Sequence, residues 1–429
     1  MTPTARICRL FILSILAALF TAPAAAAFDP DAPPETTIPV APFLTFGGNI
    51  ALQYELELNR DLDNDQADAL SILQPELSLA LSFDPGEQFQ AFVNIELAGE
   101  MTLAGGRRDA RDIKLEMKEA FLSFKQLLGG RLFVQAGRQR FEDDRQWLYD
   151  EELDAVLVVW VFSPALSLEL SASRLDLADR DFFNNEPRER IDNYIAYGRY
   201  VLGEDTESAA YAVIRHDRSA DRESPILLGL HSIGEIIDNL DYWLEVAHAR
   251  GRDGPLKIRG FGMDAGAIFG FDRPLQPAIA LGFAFGTGDD DANDGVDTSF
   301  RQTGLQENEG AFDGVPDFKY YGESLDPELG NLLIFTVAAG IHPTEFSSID
   351  LVYHYYLQHT RSAGLRNAGI DAAPDGRSRA LGSEIDLVAG FEEFHHFESK
   401  LVLGYFIPGK AFPGGDNSAL INFELQYDF

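Results

Sequence analysis

The last twelve residues, Ser418 to Phe429, read S-A-L-I-N-F-E-L-Q-Y-D-F. Ala419, Ile421, Phe423, Leu425, Tyr427 and Phe429 fall on one parity, and Leu420, Asn422, Glu424, Gln426 and Asp428 on the other. Side chains of a strand alternate faces, so one face here is wholly apolar and the other almost wholly polar, up to the carboxyl terminus. A soluble protein has little use for a terminal strand with a complete apolar, aromatic-ended outer face. The pattern is that of the closing strand of a bacterial outer-membrane barrel.

The same alternation recurs upstream. In Asn49 to Leu58, Ile50, Leu52, Tyr54, Leu56 and Leu58 oppose Asn49, Ala51, Gln53, Glu55 and Glu57; in Phe89 to Leu97, Phe89, Ala91, Val93, Ile95 and Leu97 oppose Gln90, Phe92, Asn94 and Glu96. Stronger or weaker versions fall at 76–83, 118–125, 131–140, 155–162, 167–172, 194–201, 211–216, 226–231, 242–249, 257–271, 279–285, 333–341, 349–357, 384–391 and 397–406, which with the last strand makes eighteen. An even number puts both termini on one side. The fold class expected is all-β, a transmembrane antiparallel barrel of about eighteen strands.

The connections are sorted by length. Short ones, such as Asp84-Pro85-Gly86-Glu87, Leu128-Gly129-Gly130, Ser163-Pro164 and Pro343-Thr344-Glu345, alternate with longer ones that include 101–112, 141–151, 176–190, 289–329, 361–381 and 408–417. Barrels of this kind have short periplasmic turns and longer extracellular loops.

Arg6 and Arg9 precede an apolar run, Leu10 to Phe20, and an alanine-rich stretch ending at Ala27. That is a secretory signal peptide, so the domains expected are 1–27 signal peptide, 28–45 periplasmic arm with five prolines between Asp29 and Pro42, and 46–429 barrel. The single cysteine, Cys8, leaves with the signal, so no disulfide, thiol nucleophile or cysteine metal site is expected.

Charged side chains are costly on the lipid face, so strand charges are assigned to the lumen. That places Glu55, Glu57, Glu76, Glu96, Glu245, Asp350, Glu384, Asp386 and Glu424 inside, against Lys125, Arg138, Arg140, Arg199, Arg215, Arg259 and Lys400. Barrels of sixteen to eighteen strands enclose water, so such an interior is a hydrated channel. The formal charge of −35 is concentrated in loops such as Asp61 to Asp65 and Gly288 to Gly295. The second run has Ala292 where a calcium loop needs an oxygen ligand.

Two stretches interrupt the alternation, Gly137 to Val156 (G-R-Q-R-F-E-D-D-R-Q-W-L-Y-D-E-E-L-D-A-V) and Phe300 to Asn308 (F-R-Q-T-G-L-Q-E-N) with Phe318 to Leu329 (F-K-Y-Y-G-E-S-L-D-P-E-L), and a further motif runs from Gly376 to Leu387 (G-R-S-R-A-L-G-S-E-I-D-L). Together they resemble the alginate-export porins of Gram-negative outer membranes, over essentially the whole mature chain. The resemblance implies an eighteen-stranded barrel in the cell outer membrane and passive export of an anionic, alginate-like polysaccharide, drawn past lysines and arginines that replace water around uronate carboxylates. Matched by position, Arg138, Arg140, Arg145, Asp143 and Asp144 are the constriction candidates, with Arg301, Lys319 and Arg379 from the long loops. Arg199, Arg215, Arg259, Glu384 and Asp386 join them as lumen charges. The alternative is a diffusion porin for sugars or small anions.

No G-x-S-x-G or H-E-x-x-H occurs, and the acidic run Asp150-Glu151-Glu152-Leu153-Asp154 does not by itself set two carboxylates across a sugar. No catalysis, cofactor or metal is therefore expected. Expected partners are the polysaccharide, outer-membrane lipid and lipopolysaccharide, and periplasmic secretion-complex proteins; no nucleic acid is involved, and the barrel is monomeric. With no long periplasmic turn, any gate must be an outer loop such as 289–329 folding inward.

Overall fold

The computed structural model describes residues 33–429 except 67, 87, 106–110, 176, 178–179, 184–189, 204–205, 220–222, 292 and 395. The expected signal peptide lies outside the described residues. Eighteen long strands pair antiparallel in chain order: β1 (Leu44–Leu58), β2 (Leu70–Gly86), β3 (Phe89–Ala104), β4 (Arg111–Gln126), β5 (Leu132–Glu142), β6 (Asp150–Ser163), β7 (Leu166–Arg174), β8 (Ile191–Val201), β9 (Thr206–Asp217), β10 (Glu223–Ile237), β11 (Leu240–Asp253), β12 (Leu256–Gly270), β13 (Ala278–Gly286), β14 (Leu332–Thr344), β15 (Ser347–Gln358), β16 (Ala380–Phe394), β17 (Phe397–Pro408) and β18 (Ser418–Asp428).

The sheet closes on itself where β18 pairs β1, from Asn49 opposite Asp428 to Leu58 opposite Ala419. Closure leaves the strands no unpaired edge, which a bilayer would penalise at every exposed amide. The seam is finished by Phe429, whose amide and carbonyl pair with Gly48. Gly48 is required there, because a Cβ would lie 2.6 Å from both the Phe429 ring and the Ser78 carbonyl. The arm does not stay extended: Ile38–Ala41 folds back as a short strand on Thr45 and Phe46, and the barrel begins at Leu44.

Alternation holds as the sequence requires. Leu79, Leu81, Phe83, Leu122, Phe124, Trp160, Phe162, Leu170, Tyr200, Leu281, Val337, Leu351, Phe423 and Tyr427 are exposed on the outer face. Ser78, Asn94, Glu119, Glu245, Asp264, Asp350, Glu384, Asp386, Lys400 and Glu424 are buried on the inner one. One end carries only short turns, the widest at 271–277; the other carries the 287–331 and 359–379 loops. The exception at the long-loop end is the β11–β12 hairpin, expected as a loop over 251–255, which is only Gly254-Pro255. Near the outer rim β4 and β5 part, and Arg180 to Phe182 fills the gap by pairing with Leu115 and Met117 of β4.

This assignment of faces predicts an asymmetric response at neighbouring positions. Phe423→Arg should lower the unfolding free energy of vesicle-inserted protein by about 2–4 kcal/mol in a denaturant titration. Asn422→Lys, on the lumen face, should change it by less than about 0.5 kcal/mol.

Candidate functional site

The lumen is occupied by the 287–331 loop, which leaves the long-loop rim after β13 and descends inside the wall. Gly260 and Gly262 on the inner face of β12 make room for it: a Cβ at Gly262 would lie 2.4 Å from the Phe300 ring. Phe300, Phe318, Tyr320, Tyr321, Leu325 and Leu329 are all almost completely buried. The tip reaches the short-turn end, where the Val315 amide donates to Ser348 Oγ at 2.8 Å and His342 Nε2 lies 2.8 Å from the Asp313 carbonyl.

Polar side chains of the wall and the 143–149 loop fix the loop in place. Glu384 on β16 accepts the amides of Ser324 (2.5 Å) and Leu325 (3.1 Å) and the Tyr356 hydroxyl (3.1 Å). Asp264 on β12 accepts the Tyr321 hydroxyl and the Trp243 indole N–H at 3.0 and 2.8 Å, and Trp147 Nε1 donates to Tyr321. Arg215 donates to the carbonyls of Thr303 and Gly304. Asp386 sits 3.4 Å from His354 Nε2, both fully buried.

The residues expected to form a cationic constriction are distributed differently. Arg138 is a correction. It shares the parity of Val134 and Ala136 and lies opposite Asp154, on the face where Val156 and Trp160 meet the membrane. Two hydrogen bonds of 3.0 and 2.9 Å tie it to Asp154, so it does not line the pore. Arg140, on the same parity, is held by Asp150 at 2.7 Å and Glu142 at 3.6 Å. Arg259 is a second correction: it shares its face with the exposed Phe261, while Ile258 and Asp264 take the buried one. Arg199 points inward but is bound to Glu207 at 2.5 Å. Arg301 is surrounded by Glu223, Asp253 and Asp297. Arg379 is exposed at the rim and donates to the Gln358 carbonyl.

Asp143 is a turn-former: it accepts the amides of Trp147, Leu148 and Tyr149, and burial pushes its carboxyl up to about 6. Asp144 is exposed on the same loop. Arg145 does enter the lumen. Its guanidinium lies 4.3 Å from the Trp243 ring centre and 4.1 Å from that of Tyr320, and 3.8 Å from Asp264. Two aromatic faces and a carboxylate make it a rivet between wall and loop.

A cavity of about 260 Å³ lies between the loop and the wall of β1, β2, β17 and β18. Glu55, Glu57, Glu76, Glu309, Glu323, Asp326 and Glu424 line it, with Lys319 and Lys400 as the facing cations. Lys319 is bound to Glu307 and Glu309 at 2.7 and 3.1 Å, and Lys400 lies 3.8 Å from Glu424. Lys319 was legible as a site residue; Glu309, Glu323, Asp326 and the aromatic anchors Trp147, Trp243, Tyr320 and Tyr321 were not assigned roles. The signal that marked them is an aromatic, charge-rich loop far longer than any turn needs. Among the described residues no group of three or more His, Cys, Asp or Glu is placed to hold a metal.

The sequence pattern of the alginate export family matches residues 43–422. The alginate production protein AlgE of Pseudomonas aeruginosa is 28% identical over 178 residues, an alignment spanning 38% of this chain and 35% of that protein. Among solved structures, Pseudomonas aeruginosa OccK7 (OpdD) superposes with a TM-score of 0.59 at 11% identity, over 90% of this chain and 98% of that one. The outer membrane protein OprD of the same organism gives 0.58 at 9%, over 93% and 96%. These superpositions show the outer-membrane barrel fold. The chain belongs to the alginate export family and is an outer-membrane barrel.

Proposed function

We propose that this protein is a non-enzymatic, monomeric pore for passive export of an alginate-type exopolysaccharide. The observation that carries this reading is the family match across residues 43–422. The route runs along the wall of β1, β2, β17 and β18, beside the inserted loop. At about 260 Å³ the cavity there holds only about nine waters at roughly 30 Å³ each. It is also smaller than the roughly 300–1,000 Å³ pockets that take drug-sized molecules. A uronate polymer is far larger than that cavity, so in this reading the loop withdraws for passage and its inserted position is a closed state of the pore. Lys400 stays on the wall when the loop withdraws and already has Glu424 as its carboxylate partner, so a passing uronate exchanges with Glu424. Such contacts are weak and replaceable, as sliding requires.

The excess of carboxylates over lysines in the cavity favours one second reading: a diffusion pore for neutral or cationic small solutes. Planar-bilayer recording with a salt gradient and added oligouronates separates the two. Export predicts that oligouronates block the current and that Lys400→Gln weakens block about tenfold or more, a lost charge-assisted contact being worth roughly 1.5–3 kcal/mol. A cation-selective current indifferent to oligouronates contradicts it.

Two further outcomes test the loop as the gate. Glu384→Ala deprives two amides and the Tyr356 hydroxyl of their acceptor, at about 1–3 kcal/mol for each donor left buried. It should raise the frequency and size of openings while the barrel still folds; unchanged recordings contradict the gate. The second outcome is a pH dependence. Burial pushes Glu323 up to about 8 and Asp326 up to about 6. The inserted loop thus holds protons that a withdrawn, hydrated loop releases in the ordinary carboxylate range, so raising the pH favours withdrawal. Open fraction should rise from about pH 4 to pH 8, and Glu323→Gln should remove the part of that rise above pH 6.

A further inference from the structure

The outer face of the barrel, at the long-loop rim, carries charges that the pore does not use. From β5 to β8 they alternate in sign, Arg138 opposing Asp154, Asp154 opposing Arg174 and Arg174 opposing Asp192, and β9 sets His216 opposite Asp192. Arg174 lies 2.6 Å from Asp192, which Arg218 also holds. The alternation stops at β10. On β11 and β12, Arg250 opposes Arg259 and Arg252 opposes Lys257. All four are exposed, and none has a carboxylate oxygen within 4.0 Å among the described residues. Asp253, next to Arg252, turns the other way to bind Arg301 at 2.8 Å.

Like charges directly opposite on one sheet face are destabilising. Two such pairs are stacked here, in a chain whose 69 acidic residues outnumber 34 basic ones. The compensating anion is thus expected from outside the chain. Height says where from. Arg250 follows Tyr242 on the same face, and eight residues at about 3.4 Å each, tilted about 40°, put it roughly 21 Å nearer the long-loop rim. The apolar belt of such barrels is about 25 Å tall. Arg250 and Arg259 therefore sit at its outer edge, with Arg252 and Lys257 in the headgroup layer above. The hairpin above them is only the Gly254-Pro255 turn, and at the side of Lys257 the 287–331 loop adds a two-residue parallel strand, Val296 opposite Lys257 and Asp297 opposite Ile258. Below the patch Phe261 and Phe285, with ring centres 6.4 Å apart, offer an apolar surface to acyl chains.

We infer that Arg250, Arg252, Lys257 and Arg259 form a docking site for the phosphates of an acylated, bisphosphorylated glycolipid of the lipid A type in the outer leaflet. Three guanidinium forks and one ammonium suit two phosphate groups, each fork bonding two oxygens of one phosphate. The site is independent of the cargo.

The test is native mass spectrometry of the full barrel in detergent, titrated with bisphosphoryl lipid A, with the dephosphorylated lipid and with inorganic phosphate. Arg250→Gln/Arg252→Gln/Lys257→Gln/Arg259→Gln should bind bisphosphoryl lipid A at least about tenfold more weakly than wild type, four basic residues near an anionic lipid surface each contributing to attraction. Lys410→Gln, an exposed charge on another outer loop, should bind as wild type. Heat-modifiable migration of each variant verifies folding, and Arg250→Lys/Arg252→Lys/Arg259→Lys should restore much of the affinity. Equal binding by wild type and the quadruple variant, or equal binding of the phosphorylated and dephosphorylated lipids, overturns the inference. So does saturation by inorganic phosphate alone at matched concentration, which would make the site one for soluble anions.

Discussion

A bilayer offers no hydrogen-bond partner to a peptide group, and this one constraint orders the structure. It forces the strands to close, with β18 pairing β1 and Phe429 completing the seam against Gly48. Closure with period-two side chains then decides everything else. Apolar and aromatic residues take the lipid face, and mid-strand carboxylates and amides are driven inward. An eighteen-stranded ring so lined is too wide for wall side chains alone to fill. The interior charges must be hydrated or answered by another part of the chain.

Here much of the answer comes from one loop. Glu384 and Asp264 on the wall accept bonds from the 287–331 loop, Arg215 donates to it, and Arg145 lies between rings of wall and loop. Wall charges that the sequence offers as a selectivity filter thus hold the loop in the lumen. Function follows from what they leave over: an acidic slot beside β1 and β18, with Lys319 and Lys400 already engaged. In the proposed export, ion preference, polymer contact and closure are aspects of one arrangement, the fit of the loop to the wall.

The barrel was legible because its determinant is local. All eighteen strands, the sorting of short and long connections and the inward Glu55, Glu76, Glu245, Glu384 and Glu424 follow from parity within single segments. Arg138 and Arg259 show where parity must outrank the rule that charges turn inward. Each alternates with apolar neighbours, Val134 and Ala136 in one case, Phe261 and Met263 in the other, and each sits near a strand end, where the cost of an outward charge has faded. The loop's inward course was expected from the lack of long periplasmic turns, but its partners were not. Contacts such as Trp147 to Tyr321 and Ser324 to Glu384 join residues far apart in sequence, and no periodicity encodes them.

The central claim, that the 287–331 loop closes the pore by seating on the wall, is tested most directly by locking it there. A Cβ at Gly404 on β17 would lie 2.6 Å from Ser324 Oγ, close enough for a disulfide between the two positions, and Cys8 is the chain's only cysteine. Single-channel conductance of Ser324→Cys/Gly404→Cys is the measurement. The account predicts a silent, closed pore when oxidised and wild-type openings after reduction. Openings of wild-type size and frequency in the verified oxidised protein would contradict it.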